Sequence, residues 1–498
     1  MIDHQMPNWL KQRAFLTPDR MAFYTGKETV TFRELDNEVR SLALKLAGMG
    51  FVKHDKIALL FNNQLDIVKL YHTMPYLGTV AVPLNTRLSY EEQKWQLEDS
   101  GAAALIYDEA YRERANKIKE LNPKLQMMSI RELESQTEAS GDLSTHVNMD
   151  DLHTIIYTSG TTGFPKGVML SYNNHWWSAV GAALNLGLQI DDKWLAAVPL
   201  FHVSGLSMLM KNVIYGVPVV LHAAFDPEAV NRAIIEDGVT MVSVVTTMLT
   251  QMIDRLGDKT YPKSFRCMLL GGGPAPKVVL DLCKDKGIPV FQTYGLSETG
   301  SQIVTLSPEY MLEKLGSAGK PLFPCEIKIM KGHQEAEANT EGEIVVKGPN
   351  VTRGYLNRPQ ATEETIIDGW LYTGDIGYLD DDGFLYVLDR RKDLIISGGE
   401  NVYPAEVEAV LLQHQDIVES GVIGVKHARW GQVPAAFVKL RGTGQTVTEQ
   451  AVIEFCKERL AGYKTPKHVF FVDELPRNAS KKLLRRNLYD LLPDQLRP

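Results

Sequence analysis

The sequence predicts an α/β protein in which a large N-terminal domain of α/β sheets, carrying a small β-barrel subdomain, is followed by a small mobile α+β C-terminal domain. Three observations predict it. Apolar strand-like runs alternate with helical patterns from residue 29 to about 325, the ordering that gives parallel sheets covered by helices. From about 325 to 391 the runs shorten to strands spaced by turns. The charged pentapeptide Asp389-Arg390-Arg391-Lys392-Asp393 then interrupts two apolar strands, leaving about 105 residues, a size suited to a small domain on a hinge. A chain of 498 residues, 44% apolar and 23% charged, is also too long for one core.

Taken in order, Thr29-Val30-Thr31-Phe32 opens as a strand and runs into a helix through Leu35, Val39, Leu42, Leu44 and Leu46. Residues 56–61 read as a buried strand, 65–78 as a helix, 80–84 as a strand, 90–100 as a helix and 102–107 as a strand. After residue 167 the alternation resumes with strands at 194–199, 217–221, 241–245, 267–270 and 289–292. Residues 326–329, 342–347 and 383–388 are the short strands of the β-rich part. Beyond the pentapeptide come a helix at 404–413, strands near 417–425 and 435–440, a helix at 448–460 and a basic tail.

The formal charge of −8 offers no general attraction to nucleic acid or to an anionic membrane. It is uneven: from Arg390 onward 17 Lys and Arg stand against 13 Asp and Glu, and 36 against 48 before it. Cys267, Cys283, Cys325 and Cys456 lack C-x-x-C spacing, which argues against a zinc site or a disulfide framework and fits buried thiols in a reducing compartment. The N-terminus has no basic-then-apolar signal pattern, and no run approaches the ~18 apolar residues of a membrane span. A soluble cytoplasmic protein without membrane insertion is expected, and a homo-oligomer stays open.

The densest chemistry lies in Tyr157-Thr158-Ser159-Gly160-Thr161-Thr162-Gly163-Phe164-Pro165-Lys166-Gly167, directly after the strand-like His153-Thr154-Ile155-Ile156. Glycines let backbone N–H groups converge on phosphate oxygens, hydroxyls add donors, and Lys166 adds a compact positive charge. The loop is not a Walker motif, because no hydroxyl follows Lys166, and Gly271-Gly272-Gly273-Pro274 fails the Rossmann spacing. Further segments complete a nucleotide site: Tyr294-Gly295-Leu296-Ser297-Glu298-Thr299 after a strand, where Tyr294 suits a purine and Glu298 a hard cation, and Tyr372-Thr373-Gly374-Asp375, read as a tight turn whose Asp375 with Arg390 suits ribose hydroxyls. None of Ser159, Ser204 or Ser297 sits in G-x-S-x-G, so a serine hydrolase is disfavoured.

Together and in this order, these segments with Pro199-Leu200-Phe201-His202, Gly398-Gly399-Glu400-Asn401-Val402-Tyr403-Pro404-Ala405-Glu406-Val407-Glu408 and Lys482 resemble the adenylate-forming superfamily of acyl-CoA synthetases, luciferases and adenylation domains. The resemblance covers nearly the whole chain. Within that family, residues 7–14, 302–308 and 475–480 look most like the branch acting on 2-succinylbenzoate in menaquinone synthesis. One departure is Lys481, where the family has glycine; counting from Pro476 and back from Arg485 still places Lys482 at the family's lysine.

The resemblance implies ATP, Mg²⁺ and coenzyme A as cofactor and co-substrates and a small carboxylic acid as substrate. It implies domains at 1–391 and 392–498, with the hinge at Lys392. Lys482 would bridge the substrate carboxylate and α-phosphate, the loop from Thr158 to Lys166 would clamp the departing pyrophosphate, and Thr158 and Glu298 would hold the metal. Gly271, Gly272, Gly273, Pro274, Tyr294, Gly295, Ser297, Thr299, Asp375 and Arg390 would bind the nucleotide. Ser397-Gly398-Gly399-Glu400 would let a pantetheine arm pass, and His202, Ser204, Thr246 and Gln302 would line the acid's pocket. The rivals are another aryl or fatty acid, transfer to a carrier-protein thiol, and an inactive nucleotide-binding scaffold.

Overall fold

The computed structural model describes residues 4–158, 165–272, 277–314, 316–389, 393–402, 404–441, 447–476, 483 and 485–496. The chain divides into two compact units, one of Met1–Leu84, Asp99–Ile156 and Gly167–Leu388, the other of Asn85–Glu98, Tyr157–Lys166 and Asp389–Pro498.

Helices α1 (Phe32–Gly48), α2 (Leu65–Leu77) and α3 (Tyr90–Ser100) stand where the apolar periodicity places them. The start of α1 is set by a capping box: Thr31 Oγ1 accepts from the Glu34 N–H and the Glu34 carboxylate accepts from the Thr31 N–H. Its buried Leu35, Val39, Leu42 and Leu46 recur at helical spacing and join a core with Ile67, Leu70, Tyr71 and Met74 of α2.

In the first unit, β1 (Lys56–Leu60), β2 (Val80–Pro83), β3 (Ala104–Tyr107), β4 (Gln126–Ser129), β5 (Leu152–Thr158) and β6 (Lys166–Ser171) form a sheet in the order β6-β5-β2-β1-β3-β4. The pairs from β5 to β4 are parallel, which explains why these strands read as continuous apolar runs. A second sheet runs β12-β11-β10-β9-β7-β8, with β7 (Trp194–Ala196), β8 (Val219–Leu221), β9 (Met241–Val245), β10 (Cys267–Gly271), β11 (Val290–Leu296) and β12 (Ser301–Thr305). Lys320–Pro321 extends one edge, and Met21–Tyr24 with Thr29–Thr31 the other. β7 through β11 are parallel, whereas β12 returns antiparallel along β11. Helices α4 (Tyr172–Leu186), α5 (Val203–Tyr215) and α6 (Thr246–Leu256) follow β6, β7 and β9.

Among the strands that depart from their expected bounds, two do so for identifiable reasons. β7 ends at Ala196 because the next residues are claimed by Asn63, whose side chain donates to the Val198 carbonyl and accepts from the Leu200 N–H. β11 continues past Gln292 to Leu296 because β12 folds back on it, pairing Tyr294 with Val304 and Leu296 with Ser301.

The β-rich part is antiparallel: β13 (Glu326–Lys331), β14 (Gly342–Lys347) and β15 (Trp370–Leu379) pair in that order, and β16 (Leu385–Asp389) pairs with β15. Ile329, Ile344, Val346, Leu371 and Leu385 fill its core. In the second unit β17 (Ile395–Ser397), β18 (Glu400–Val402), β19 (Ile417–His427) and β20 (Gly431–Leu440) are ordered β18-β17-β20-β19, with β21 (His468–Phe471) parallel to β20. Helices α7 (Pro404–Leu411) and α8 (Glu449–Lys457) supply Val407, Leu411, Val452 and Cys456 to a core with Val422 and Val438. The four cysteines are buried and free, as their spacing predicts. Among the described residues no helix is long and apolar enough to cross a membrane.

Candidate active site

The first unit gathers eight of the expected site residues at the C-terminal ends of adjacent parallel strands. β9 delivers Thr246, β10 delivers Gly271 and Gly272, and β11 runs through Tyr294 and Gly295 to Ser297 and Glu298. This edge is where ligands of open α/β sheets bind.

The Tyr294–Thr299 stretch is shaped by its backbone. A side chain at Gly295 would place Cβ 1.9 Å from the Ser301 carbonyl oxygen, so only glycine lets β11 and β12 meet at this bulge. Ser297–Thr299 is a single 3₁₀ turn. Thr299 is fully buried, and its hydroxyl accepts from the Leu296 N–H and donates to the Ser301 carbonyl, which makes it the brace of that turn. Glu298 is half-buried, and its Oε1 accepts from the Tyr355 hydroxyl at 3.0 Å.

Two separate sequence segments converge here. The Tyr294 hydroxyl donates to Asp375 Oδ2 at 2.7 Å, and both side chains are buried. Asp375 lies within β15, not on a free turn. Thr373-Gly374-Asp375 is a bulge against β14, fixed by the Thr373 hydroxyl on the Ile344 carbonyl and by the Gly374 N–H on Glu343 Oε1. A carboxylate oriented by a tyrosine and set in a sheet is well placed to accept from vicinal hydroxyls.

His202 caps the start of α5, and its ring packs 4.7 Å from that of Phe201. Three side chains on one face of α5 follow: Ser204 is exposed, Ser207 Oγ lies 3.3 Å from Ser301 Oγ, and Lys211 Nζ lies 3.3 Å from Gln302 Oε1. Gln302 is 3% exposed, and its Nε2 reaches the Thr305 hydroxyl.

Lys211 escaped the sequence reading. It is 2% exposed, stands 5.4 Å from the Trp194 ring centroid, and forms no ion pair with any carboxylate of the described residues. Burial pushes its pKa down to about 8. Its sequence signal is a lone cation in the mostly apolar helix run Leu206-Ser207-Met208-Leu209-Met210-Lys211. A buried ammonium that pairs with no carboxylate of the described residues is chemically suited to an anion.

In the second unit, Gly398 and Gly399 have φ of +59° and +84° and make the two-residue turn of the β17–β18 hairpin, with Ser397 opposite Glu400. Gly398 also lies against the Trp430 ring, 2.7 Å from where a Cβ would stand. Glu400 is buried, and its Oε1 accepts from Arg87 at 2.5 Å. Thr158 ends β5, and its hydroxyl faces the Lys166 carbonyl at 3.5 Å. Ser159, Gly160, Thr161, Thr162, Gly163, Gly273, Pro274, Arg390, Lys392 and Lys482 lie outside the described residues.

Among the described residues no group of three His, Cys, Asp or Glu side chains converges as a metal cage. Mg²⁺ keeps several waters and binds through one or two carboxylates plus substrate phosphates. Glu298 has the hard oxygen for it.

Residues 10–356 match the AMP-binding enzyme family, and residues 406–482 match the AMP-binding enzyme C-terminal domain. A 2-succinylbenzoate–CoA ligase of Bacillus cytotoxicus is 55% identical over 490 residues, 98% of this chain and 99% of that protein. Among solved structures, o-succinylbenzoate CoA synthetase from Bacillus subtilis, as a double mutant bound with its product analogue OSB-NCoA, superposes with a TM-score of 0.93 at 51% identity, covering 98% of each chain. The Bacillus subtilis enzyme in complex with ATP and magnesium ion gives a TM-score of 0.76 at 50% identity, covering 97% of this chain and 99% of that one.

Proposed function

The chain belongs to the AMP-binding enzyme family, and from that premise we propose that it is an AMP-forming acid:CoA ligase whose acid is 2-succinylbenzoate, the activation step of that acid in menaquinone synthesis. In the first half-reaction a substrate carboxylate oxygen bonds to the α-phosphorus of ATP and pyrophosphate leaves. In the second the thiolate sulfur of coenzyme A bonds to the acyl carbon and AMP leaves.

The observation that carries the choice of acid is Lys211. 2-Succinylbenzoate has two carboxylates, and only one reacts. The other needs a counter-charge, and the buried Lys211 ammonium beside Gln302 supplies one that pairs with no carboxylate of the described residues. A fatty acid has nothing to offer it. A buried lysine facing a hydrocarbon tail would be a standing cost.

The remaining residues take their roles from the electrostatics of the first step. Two unit charges about 4 Å apart repel by ~4 kcal/mol at an effective dielectric near 20, so joining a carboxylate to a polyphosphate requires positive charge at the join. Lys482 has that role, with Lys166 and the hydroxyls of the 158–163 loop receiving the pyrophosphate. Glu298 would hold Mg²⁺, which when bound supplies further charge neutralisation to the phosphates. Asp375, oriented by Tyr294, accepts from the ribose hydroxyls. The Gly398-Gly399 turn, which carries no side chain of its own, faces the pantetheine arm, and Lys392 is the hinge between functional domains 1–391 and 392–498.

The test is coenzyme-A-dependent AMP release across a panel of carboxylic acids that includes 2-succinylbenzoate, benzoate and a fatty acid. Release is expected with 2-succinylbenzoate far above the monocarboxylic acids. No release with any acid would leave the inactive scaffold.

A further inference from the structure

Residues 85–98 belong to the second unit although the chain on either side of them belongs to the first. What holds them there is a set of side-chain contacts centred on one buried ammonium. Lys464 Nζ lies 2.9 Å from Glu92 Oε1 and 2.6 Å from Glu406 Oε1. Lys464 is 3% exposed and Glu406 4%. Burial alone would lower the pKa of Lys464, but Glu406 and Glu92 raise it overall, so the ammonium keeps its proton. Nearby, Ser89 Oγ donates to the Arg459 carbonyl at 2.7 Å and Asn85 Nδ2 lies 3.3 Å from the Tyr463 hydroxyl.

The same short segment touches two pieces of the expected machinery. Arg87 binds Glu400, the residue that closes the Gly398-Gly399 turn. On α3, three residues beyond Glu92, the Trp95 ring stands edge-on to Tyr157 with centroids 5.9 Å apart. Tyr157 is the first residue of the phosphate motif. A cavity of about 470 Å³ is lined both by Pro165 of that motif and by Glu92 and Glu406 of the ion cluster.

We propose that Glu92, Lys464 and Glu406 form a clip that positions residues 85–98, and that through Arg87 this segment sets the Gly398-Gly399-Glu400 turn for acyl transfer to coenzyme A. The inference rests on the function proposed above. Arg87 is half-exposed, and an exposed ion pair alone fixes little. Its geometry is inherited from the buried clip five residues away, where two carboxylates share one cation in low dielectric. Glu92, Lys464 and Arg87 are therefore positioning residues for the second half-reaction and have no part in the first.

The experiment separates the half-reactions in the full-length protein for Glu92→Gln, Lys464→Met and Lys464→Arg. Pyrophosphate release in a single turnover without coenzyme A reads the first, and thioester formation from supplied acyl-adenylate reads the second. For Glu92→Gln and Lys464→Met the first should stay within about twofold of wild type while the second falls about tenfold or more, with Lys464→Arg recovering part of it. Equal loss in both half-reactions, or no loss in either, overturns the proposal. Amide hydrogen exchange of residues 85–98 without substrate gives an arm independent of the acid: Glu92→Gln should exchange faster there, and unchanged exchange overturns the clip. A wild-type protein inactive with every acid would instead count against the ligase assignment.

Discussion

Replacing Lys211 by methionine should make the protein more stable and a worse enzyme at once. The side chains are similar in length, so the swap leaves no large cavity. Burial lowers the Lys211 pKa from 10.5 to about 8, which at about 1.4 kcal/mol per decade is a penalty on the order of 3 kcal/mol carried at neutral pH. Between pH 8 and 10.5 the unfolded chain binds more protons than the native one. Wild-type stability therefore rises with pH through that window, and below pH 8 the penalty is present in full. Losing the Gln302 contact costs roughly 1 kcal/mol, so Lys211→Met should gain about 2 kcal/mol at pH 7 and little by pH 10.5. Denaturant midpoints of the unliganded proteins at the two pH values read this difference. The enzyme assay should move the other way. Removing one partner of a buried charge pair costs about 2–5 kcal/mol, so kcat/KM for 2-succinylbenzoate should fall on the order of 10²–10³-fold, with little change for benzoate. A variant that is less stable at pH 7, or that loses activity equally with both acids, would refute the reasoning.

The remaining expectations concern other parts of both units. Tyr294→Phe removes the hydroxyl that orients Asp375 and should raise KM for ATP several-fold while leaving KM for coenzyme A unchanged, as initial-rate kinetics would show. Gly295→Ala forces a Cβ to within 1.9 Å of the Ser301 carbonyl; the protein should be recovered mainly insoluble or with ATP binding lost by calorimetry. Burial lowers the pKa of His72 to about 3 and of His153 to about 4, and that of His175 well below its usual value. Each is neutral in the native state, so stability is complete above pH 6.5 and is lost as pH falls through these values. Thermal midpoints from pH 7 to 4 should decline, and His153→Gln should shallow the decline. Lys482→Ala should abolish pyrophosphate release yet leave acyl transfer from supplied acyl-adenylate within a few-fold of wild type.

The α/β alternation was legible because parallel strands buried on both faces must be continuously apolar and α1 and α2 carry apolar stripes at helical spacing. The boundaries that shifted did so through long-range pairing. Tyr294-Gly295-Leu296 reads as loop because glycine interrupts it, yet β12 holds it in a strand. Thr373-Gly374-Asp375 reads as a turn, yet β14 and Tyr294 hold it as a bulge. Motif residues such as Glu298 and Asp375 could be nominated because their chemistry is unusual in order and spacing. Lys211 could not, since an isolated lysine in an apolar helix looks like a side chain reaching water, and only the sheet against which α5 packs buries it. The Glu92, Lys464 and Glu406 cluster is more remote still, joining residues 372 and 58 positions apart.

The most direct test of the central assignment is the product stoichiometry with 2-succinylbenzoate, ATP, Mg²⁺ and coenzyme A, followed by mass spectrometry and nucleotide chromatography. One AMP, one pyrophosphate and one succinylbenzoyl thioester of coenzyme A should form for each acid consumed. ADP with phosphate, or AMP formed without consumption of the thiol, would contradict it.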